Sequence, residues 1–336
     1  MLKINVCSET EIFHIHSEGV STSFFDCMNL LRRSKDIKVY ANNEGIGDIM
    51  HCHTWGPYYF WRGLRYKGKR IYTAHVIPDT IVGTFPFWRL LKPFASWYFK
   101  KIIQYADVCI AISPRVEEVI KALGTNTRVV RLDNPLVIER WRRTPELRKK
   151  GRELLGLKED DFCVLGVGQL QNRKGCNDFI EVGKHIPNAQ FRWVGGRPFK
   201  YFTDGISLID HNIEHSTSNV KFAGMFEHEE MAAIYAAGDL FLFPSYQENC
   251  PLAPIEAAAS GMPVIFRNSE EYKTLYQHPY YKADTNEQFI LLVNKLMNDK
   301  DEYQKGMKMS EALISQFDSK VIRKKLIEIY KSVHQN

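Results

Sequence analysis

The stretch from residue 239 to residue 265 constrains the fold more than any other part of this chain. Its apolar run 239–243 predicts a short buried strand that ends at a Pro-Ser turn. Pro251 suits the first turn of a helix, and Gly261 and Pro263 are expected to end that helix before a second strand. Two strands joined through a loop and a helix are the repeating unit of a parallel α/β sheet.

Two carboxylates lie eight residues apart on this stretch. Glu248 falls in the loop after the strand, and Glu256 falls in the first turns of the helix. Loops that follow parallel strands line the edge at which open α/β sheets bind ligands. The free N–H groups of a helix start suit phosphates or sugar hydroxyls. The stretch therefore predicts a ligand-binding edge, although two solvated glutamates at a helix start would give the same spacing.

The rest of the chain alternates between strand-like and helix-like runs in two series. One series occupies residues 2–131, and the second begins at residue 162, after an Asn-Pro break. Such alternation favours parallel sheets covered by helices, and the fold class predicted is α/β. The predicted parts are a domain over 1–140, a domain over 141–318 that starts with a charged helix over 139–156, and a last helix over 319–334.

Composition excludes several classes of protein. The chain of 336 residues is 44% hydrophobic and 25% charged, which is typical of a globular protein with more than one domain. It has neither a long apolar run nor an apolar leader, so we expect no transmembrane helix and no signal peptide. Seven scattered cysteines without a Cys-x-x-Cys pair indicate buried free thiols in a cytoplasmic protein rather than disulfides or zinc.

A resemblance to a known family rests on residues 248–264. The run is similar to the donor-site signature of retaining GT-B glycosyltransferases of family 4, with Asn249 in place of the usual glycine and Cys250 in place of the usual aromatic residue. The positions that match are Glu248, Pro251, Leu252, Glu256, Ala257, Gly261, Pro263 and Val264. The resemblance implies two doubly wound, Rossmann-like domains that face each other across a cleft, with the last helix packing back on the N-terminal domain.

The loop that opens the second series carries another motif. Gly168 permits close approach of a ligand to the backbone, and Arg173 and Lys174 can neutralise a diphosphate. A dinucleotide-binding fingerprint is rejected because Gln171 occupies the place of its third glycine. The segment resembles the family's phosphate motif: Lys174 matches its lysine, Gln169 replaces its arginine, and Arg173 can compensate. Two solvated loop cations are the plain alternative.

Histidines end two strands of the first series. A lone histidine at a strand end is more often structural, but His75 matches the family's histidine that contacts the donor hexose. His51 and His53 resemble the family's His-x-His pair. No third ligand lies near them in the sequence, so we expect no metal site.

Gly19 joins the first strand to a helix over 21–33. Glycine permits a positive φ at such a turn, and Ser21 can cap the helix. Members of the family carry a glycine-rich loop here, near the acceptor and the donor phosphates. A plain turn would explain a single glycine equally well.

The net charge of +6 is confined to residues 1–140, because the remainder carries equal numbers of acids and bases. Nine bases and one acid lie between residues 62 and 101. In this region aromatic and basic residues interleave, among them Trp88, Arg89, Lys92, Trp97, Lys100 and Lys101. The pattern predicts an anionic membrane surface as a partner. Stacking on nucleic acid is the disfavoured alternative, and a core helix with half-buried lysines is the plain one.

The resemblance implies a retaining hexosyltransferase that needs no metal and no other cofactor. A UDP-linked glucose or galactose is the expected donor. The compact length and the basic, aromatic N-terminal half resemble bacterial enzymes that extend glucosyl-diacylglycerol, so the expected acceptor is a membrane glycolipid at the inner face of the plasma membrane. The alternatives are a polysaccharide or soluble glycan acceptor, a GT-B nucleotide-sugar epimerase, and a nucleic-acid-binding protein.

The same resemblance assigns roles to individual residues. Arg173 and Lys174 are expected to stabilise the leaving diphosphate. Glu248 and His75 are expected to bind the hexose, and Glu256 the ribose hydroxyls. The remaining donor-site positions are Gly19, Gly168, Asn249, Cys250, Pro251 and Leu252.

Overall fold

The structure, a computed structural model, describes residues 1–12, 19–54, 56–78, 88–197 and 206–335. These residues form two compact units. Unit 1 contains the described residues up to Val137 and those from Phe317 onward, and unit 2 contains those from Ile138 to Gln316.

Unit 1 is built on one parallel sheet. Its described strands are β1 (Leu2–Cys7), β2 (Ile37–Ala41), β3 (Ile49–Cys52), β4 (Lys69–Ala74), β5 (Val108–Ala111) and β6 (Arg128–Arg131). The strand order is β2-β1-β3-β4-β5-β6, with parallel pairs throughout. This is the flavodoxin-like order with one further strand. The helices of unit 1 are α1 (Glu9–Ile12), α2 (Gly19–Arg32), α3 (Pro57–Leu64), α4 (Trp88–Tyr105), α5 (Pro114–Ala122) and α15 (Ser319–Gln335).

The core of unit 1 includes the last helix of the chain. Helix α15 buries an apolar stripe at helical spacing, formed by Ile322, Leu326, Ile329, Tyr330 and Val333. This stripe packs in one cluster with residues of α2 and with apolar residues of β1, β3, β4 and β5. A short parallel bridge between Leu136 and Asp318 fixes the chain where it returns to unit 1.

Unit 2 is built on a second parallel sheet. Its described strands are β7 (Cys163–Val167), β8 (Gln190–Val194), β9 (Val220–Gly224), β10 (Leu240–Phe243), β11 (Val264–Arg267) and β12 (Tyr281–Ala283). The order β12-β11-β10-β7-β8-β9 is that of dinucleotide-binding sheets. Its helices are α6 (Ile138–Trp141), α7 (Pro145–Leu154), α8 (Cys176–Lys184), α9 (Ile206–Glu214), α10 (Met231–Ala237), α11 (Ala253–Ala259), α12 (Glu270–Leu275), α13 (Asn286–Asn298) and α14 (Lys300–Ser315).

The predicted fold class, two doubly wound parallel α/β sheets, is confirmed. The central strand β10 of unit 2 is a fully apolar run that is buried along its whole length, because both of its faces are covered, whereas β8 contains Arg192 and the edge strand β9 contains Lys221. All seven cysteines are free thiols; six of them are buried and Cys52 is half-buried.

Several predicted element boundaries were wrong. The single helix expected over 139–156 is two helices, because Thr144 caps a new helix by accepting a hydrogen bond from Leu147 N, and Pro145 opens it. Pro251 does not open a helix: α11 begins two residues later, with Pro254 in its first turn. Ser21 is not an N-cap, because α2 already begins at Gly19.

Candidate active site

The strand order of unit 2 has a switch point between β7 and β10. Strands β7 and β10 are neighbours, whereas β8 continues the sheet on one side and β11 continues it on the other. The loops that follow β7 and β10 therefore diverge to opposite sides of the sheet. In open α/β sheets the crevice at such a point binds ligands.

The loop after β7 turns sharply at Gly175. A 3₁₀ turn over Asn172–Lys174 ends at this glycine, whose φ is 74°. A Cβ at Gly175 would lie 2.5 Å from the carbonyl oxygen of Pro244, at the end of β10. Only glycine combines this left-handed backbone with so close an approach. The turn thus brings Arg173 and Lys174 against the loop that follows β10.

Glu248 meets both cations in that second loop. Lys174 Nζ lies 2.5 Å from Glu248 Oε1, which also accepts a hydrogen bond from Ser245 Oγ at 2.8 Å. Arg173 Nη1 lies 3.7 Å from Glu248 Oε2. The backbone adds a further link, since Tyr246 N donates to Arg173 O at 2.7 Å. The structure therefore brings together three of the four predicted catalytic residues in one cluster, which we call the ion cluster (Arg173, Lys174 and Glu248).

The ion cluster stays charged although it is largely buried. The Glu248 side chain is 9% exposed. Burial alone would raise the pKa of Glu248, but Lys174 and Arg173 hold that pKa below its ordinary value. Burial lowers the pKa of Lys174, and the Glu248 carboxylate opposes this change. Two cations and one carboxylate leave an excess of one positive charge. In addition, Arg173 Nε is buried and has no hydrogen-bond partner among the described residues.

Glu256 lies in a different environment. Its Oε2 accepts a hydrogen bond from Tyr235 Oη of α10 at 2.7 Å. Burial raises the pKa of Tyr235, and the Glu256 carboxylate raises it further, so the phenol remains a donor. The residues between the two glutamates form the loop into α11, where Cys250 and Pro251 are buried and Asn249 and Leu252 are half-buried. The two glutamates thus have separate partners.

Unit 1 places histidines at the carboxyl ends of two neighbouring strands. His53 follows β3 and His75 follows β4. Their rings stack with centroids 5.2 Å apart, and His53 Nδ1 lies at hydrogen-bond distance from His75 Nε2, at 3.0 Å. Burial lowers the pKa of His75 to about 4 and that of His53 well below its ordinary value. Both rings are therefore neutral near pH 7.

His51 is a hydrogen-bonded core residue. Its Nδ1 bonds with Tyr330 Oη and its Nε2 with Thr73 Oγ1, both at 2.6 Å. Possible ligand atoms of Cys27, His51 and His53 lie within 4.8 Å of one another. However, both His51 nitrogens are already bonded, and burial raises the pKa of Cys27 to about 12, which keeps it a thiol. This group fits a hydrogen-bonded core better than a metal site.

An aromatic surface covers parts of α3 and α4. We use the name for five exposed side chains, Tyr58 (46% exposed), Trp61 (60%), Leu90 (78%), Phe94 (64%) and Trp97 (55%). Phe60 and Tyr98 join the two helices beneath it, with ring centroids 5.4 Å apart. The side chains of Lys92, Lys100 and Lys101 are half-buried, and those of Trp88 and Arg89 lie outside the described side chains.

None of the described helices is long and apolar enough to span a bilayer. The loop that precedes Gly19 lies outside the described residues, so the expected glycine loop is not placed. Gly19 itself is the first residue of α2. Gly168 follows β7 and lies beside Lys174, because a Cβ at Gly168 would be 3.6 Å from Lys174 Cδ.

Comparison with known proteins decides the family. Residues 13–140 match the model for glycosyltransferase family 4, and residues 148–313 match the model for glycosyl transferases group 1. A curated relative, the alpha-galactosylglucosyldiacylglycerol synthase of Streptococcus pneumoniae (strain ATCC BAA-255 / R6), is 31% identical over 285 residues, which cover 83% of this chain and 76% of the relative. This chain is a family 4 glycosyltransferase.

Other relatives of this glycosyltransferase agree. The processive diacylglycerol alpha-glucosyltransferase of Acholeplasma laidlawii is 27% identical over 70% of this chain and 71% of its own length. HepE from Anabaena, solved in complex with UDP and glucose, superposes with a TM-score of 0.79 at 16% identity, covering 99% of this chain and 100% of its own. WaaG, a glycosyltransferase of lipopolysaccharide biosynthesis, has a TM-score of 0.69 at 18% identity, covering 97% and 99%. The two solved structures establish the GT-B fold.

Sequence reasoning missed several partners of the predicted residues. Ser245 and Tyr235 bond the two glutamates, His53 pairs with His75, and Tyr330 bonds His51. Ser245 lies just before the recognised motif and could have been noticed as a polar residue at the end of a buried strand. Tyr330 gave no local signal, since 279 residues separate it from His51.

Proposed function

We propose that this glycosyltransferase moves a hexose from a UDP-sugar to a glycosyl-diacylglycerol acceptor, with retention of configuration and without a metal ion. It would act while bound peripherally to the cytoplasmic face of a membrane. The observation that carries the proposal is the ion cluster at the switch point of unit 2, where two cations share one buried carboxylate.

The ion cluster suits a nucleoside diphosphate as leaving group. An ammonium group carries three protons, so Lys174 can keep its bond to Glu248 and still donate to phosphate oxygens. Arg173 has a buried Nε without a partner among the described residues, which an anionic oxygen would satisfy. Cations fixed in this way before the donor arrives stabilise charge that develops on the leaving diphosphate. In our proposal Glu256, held by Tyr235, binds the ribose hydroxyls.

The retaining mechanism that we propose has no covalent intermediate, because the ion cluster offers no suitable carboxylate nucleophile to form one. Glu248 Oε1 bonds Lys174 and Ser245, and Oε2 faces Arg173. The resulting low pKa makes Glu248 a weak nucleophile and a good acceptor for hexose hydroxyls. We therefore propose that the acceptor hydroxyl attacks on the face that the diphosphate leaves. In our proposal His75 binds hexose hydroxyls as a neutral ring, which needs no change of charge to do so.

Two findings favour a lipid acceptor. Two relatives, which align over 83% and 70% of this chain, are named as an alpha-galactosylglucosyldiacylglycerol synthase and a processive diacylglycerol alpha-glucosyltransferase. The aromatic surface exposes Trp61, Phe94 and Trp97 beside half-buried lysines of α4. Aromatic side chains with neighbouring bases prefer the interface of an anionic bilayer.

A product assay tests the proposal. The protein is incubated with UDP-glucose or UDP-galactose and with mixed micelles of monoglucosyl-diacylglycerol, and the products are separated and their anomeric configuration is read by NMR. We expect a diglycosyl-diacylglycerol with an α linkage, also in excess chelator. A Glu248→Gln variant serves as the low-activity control. Transfer only to a soluble glycan would overturn the lipid acceptor, and a free epimerised sugar nucleotide would overturn the transfer reaction. A β linkage would overturn retention, and activity that one divalent ion restores after chelation would overturn metal independence.

A further inference from the structure

His53 has no role in the function proposed above, although it contacts His75 directly. It is the residue that follows β3, and its backbone N donates a hydrogen bond to Cys7 O of β1 at 2.8 Å. The residue is only 3% exposed, and its Nδ1 lies 3.0 Å from His75 Nε2. A buried polar side chain at the ligand-binding edge of a sheet, bonded to a proposed substrate contact, is a candidate for a part in the reaction.

The bond between the two rings decides where their protons lie. Both rings are neutral, so each has one N–H group, and the bond between His53 Nδ1 and His75 Nε2 uses one of the two. If His75 were the donor, the N–H group of His53 would be at Nε2, which is buried and has no hydrogen-bond partner among the described residues. Buried N–H groups without a partner are rare, and unpartnered acceptors are less so. The geometry therefore favours His53 Nδ1–H as the donor, which leaves the proton of His75 on Nδ1.

The ring of His53 is itself held in place. It stacks on His75 with an interplanar angle of 19°, and its centroid lies 4.6 Å from that of His51. Phe24 of α2 makes an edge contact with it, at 6.1 Å between centroids. His51 is fixed in turn, because both of its ring nitrogens are hydrogen-bonded. A ring packed among fixed neighbours can hold its own partner in one orientation.

We propose that His53 is a positioning residue for His75: its Nδ1–H group holds the ring of His75 at Nε2 and fixes the proton of that ring on Nδ1. The inference rests on the proposed function, in which His75 binds hexose hydroxyls. The hydrogen bond at one nitrogen of a histidine sets which nitrogen is protonated. In a hydrogen bond between Nδ1 and a hexose oxygen, His75 is then the donor, and its ring is oriented before the sugar arrives.

The proton positions can be read in the wild-type protein. Long-range proton–nitrogen correlation spectra of histidine-labelled protein distinguish a ring protonated on Nδ1 from one protonated on Nε2. The signals are assigned with the His53→Asn and His75→Asn variants. We expect both His53 and His75 to be protonated on Nδ1 at pH 7.5, without donor or acceptor. A proton on Nε2 of either ring would overturn the proposal, whether or not the protein transfers hexose.

Two variants of His53 separate positioning from packing. His53→Phe keeps a flat ring among the same neighbours and removes the hydrogen bond, whereas His53→Asn supplies an amide N–H group near the place of Nδ1. For His53→Phe we expect the KM for UDP-glucose to rise about tenfold, because a contact that needs a fixed ring is lost. UDP affinity, measured by calorimetry, should change less than about twofold, since UDP carries no hexose. His53→Asn should recover most of the loss.

An unchanged KM for UDP-glucose in His53→Phe would overturn the proposal. If His53 served the fold alone, His53→Phe would reduce the amount of active protein, which lowers kcat and leaves both the KM and the proton position of His75 as they are.

Combined variants show whether His53 acts through His75. In the His75→Ala background, His53→Phe should change the KM for UDP-glucose less than about twofold, because the ring that it positions is gone. A further rise of about tenfold in that background would overturn the proposal. If His75→Ala alone keeps the wild-type KM, the hexose-binding role of His75 in the proposed function is refuted. If His75→Ala raises the KM and His53→Phe does not, only the positioning role of His53 is refuted.

Discussion

The two units solve the problem of a buried polar site in opposite ways. In unit 2, Lys174 and Glu248 are both largely buried and both charged, because each supplies the counterion of the other. In unit 1, burial lowers the pKa of His53 and that of His75, and both rings are neutral. The same edge of a parallel sheet can therefore carry fixed charge or neutral hydrogen-bonding groups, and the neighbours decide which.

The difference matches the chemistry proposed for each side. A leaving diphosphate needs positive charge, which the ion cluster has in excess of its single carboxylate. A neutral hexose needs hydrogen bonds, which the neutral ring of His75 can supply without the cost of removing water from a charged group. Four changes, in order of decreasing effect, would test this contrast between the two units.

Mild acid should unfold unit 1 before unit 2. Burial lowers the histidine pKa values of folded unit 1, to about 3 for His51 and to about 4 for His75. In the unfolded chain these histidines have their ordinary pKa of about 6.5, so below that pH the unfolded chain binds more protons than the folded chain. Stability is therefore fully present above pH 6.5 and falls as the pH drops. At pH 5 each of His51, His53 and His75 costs about 2 kcal/mol, or roughly 6 together.

Hydrogen exchange with mass spectrometry measures this order. Rates corrected for the intrinsic effect of pH should rise first in peptides from β3 and β4, and later in peptides from β7 and β10. Opening of β7 at the same pH as β3 would contradict the prediction, because unit 2 lacks a comparable group of buried histidines among its described residues.

Removing one cation of the ion cluster should destabilise unit 2. Lys174→Met leaves the Glu248 carboxylate buried with Arg173 at 3.7 Å as its remaining cation. We expect a loss of about 3 kcal/mol in the free energy of unfolding, measured by urea denaturation at pH 7.5. The double variant Lys174→Met/Glu248→Gln should recover most of that loss, since no buried carboxylate remains and the cation that is left, Arg173, is 27% exposed. UDP affinity, measured by calorimetry, should stay low in both. A double variant that binds UDP as the wild type does would disprove the phosphate role of Lys174.

Polar replacement on the aromatic surface should weaken membrane binding. Phe94→Ser with Trp97→Ser removes two exposed aromatic side chains, which together should contribute about 2 kcal/mol, or roughly thirtyfold in partitioning. Co-sedimentation with anionic vesicles measures this. Lys92→Ser, Lys100→Ser and Lys101→Ser should instead reduce the part of binding that salt suppresses. Leu291→Ser, at an exposed apolar position of unit 2, is the matched control. Equal recovery of all variants with the vesicles would show that this face does not meet a bilayer.

Glu256 should discriminate at the ribose. Glu256→Ala removes a charged acceptor and should weaken UDP about tenfold, or about 1.5 kcal/mol, with a smaller effect on 2′-deoxy-UDP. Tyr235→Phe should act in the same direction by about threefold, because it releases the carboxylate that its hydroxyl holds. Calorimetric titration with both nucleotides checks this. If Glu256→Ala weakens the two nucleotides equally, Glu256 does not contact the 2′-hydroxyl.

The sequence predicted unit 2 better than unit 1. Its central strands β7 and β10 are continuous apolar runs, and Lys174 and Glu248 belong to motifs in the loops that follow these two strands. The ion pair between them was not predicted, because 74 residues separate the two. Their loops come together only because β7 and β10 are neighbours in the sheet. Likewise the burial of Arg152, in the charged stretch 139–156, was not predicted; it donates to backbone oxygens.

In unit 1 the local signals were weaker. A histidine at the end of a strand carries no information about its ring partner, so the stacking of His53 on His75 became visible only once β3 and β4 were paired. The aromatic residues of α4 are divided between core and surface: Phe99 is buried and Trp97 is exposed. The composition indicated that α4 contains both aromatic and basic residues. Which of its aromatic residues are exposed depends on their position around the helix, and this was not predicted from the sequence.

The return of α15 to unit 1 has a consequence for how the protein is made. Tyr330 completes the bond network of His51, and the apolar stripe of α15 closes a core whose other members belong to the first half of the chain. During synthesis the ribosome must therefore finish unit 2 before unit 1 can close. The N-terminal sheet emerges first and matures last, and until then its exposed apolar face is a target for chaperones and for aggregation. Loss of the final helix would leave that immature state permanent.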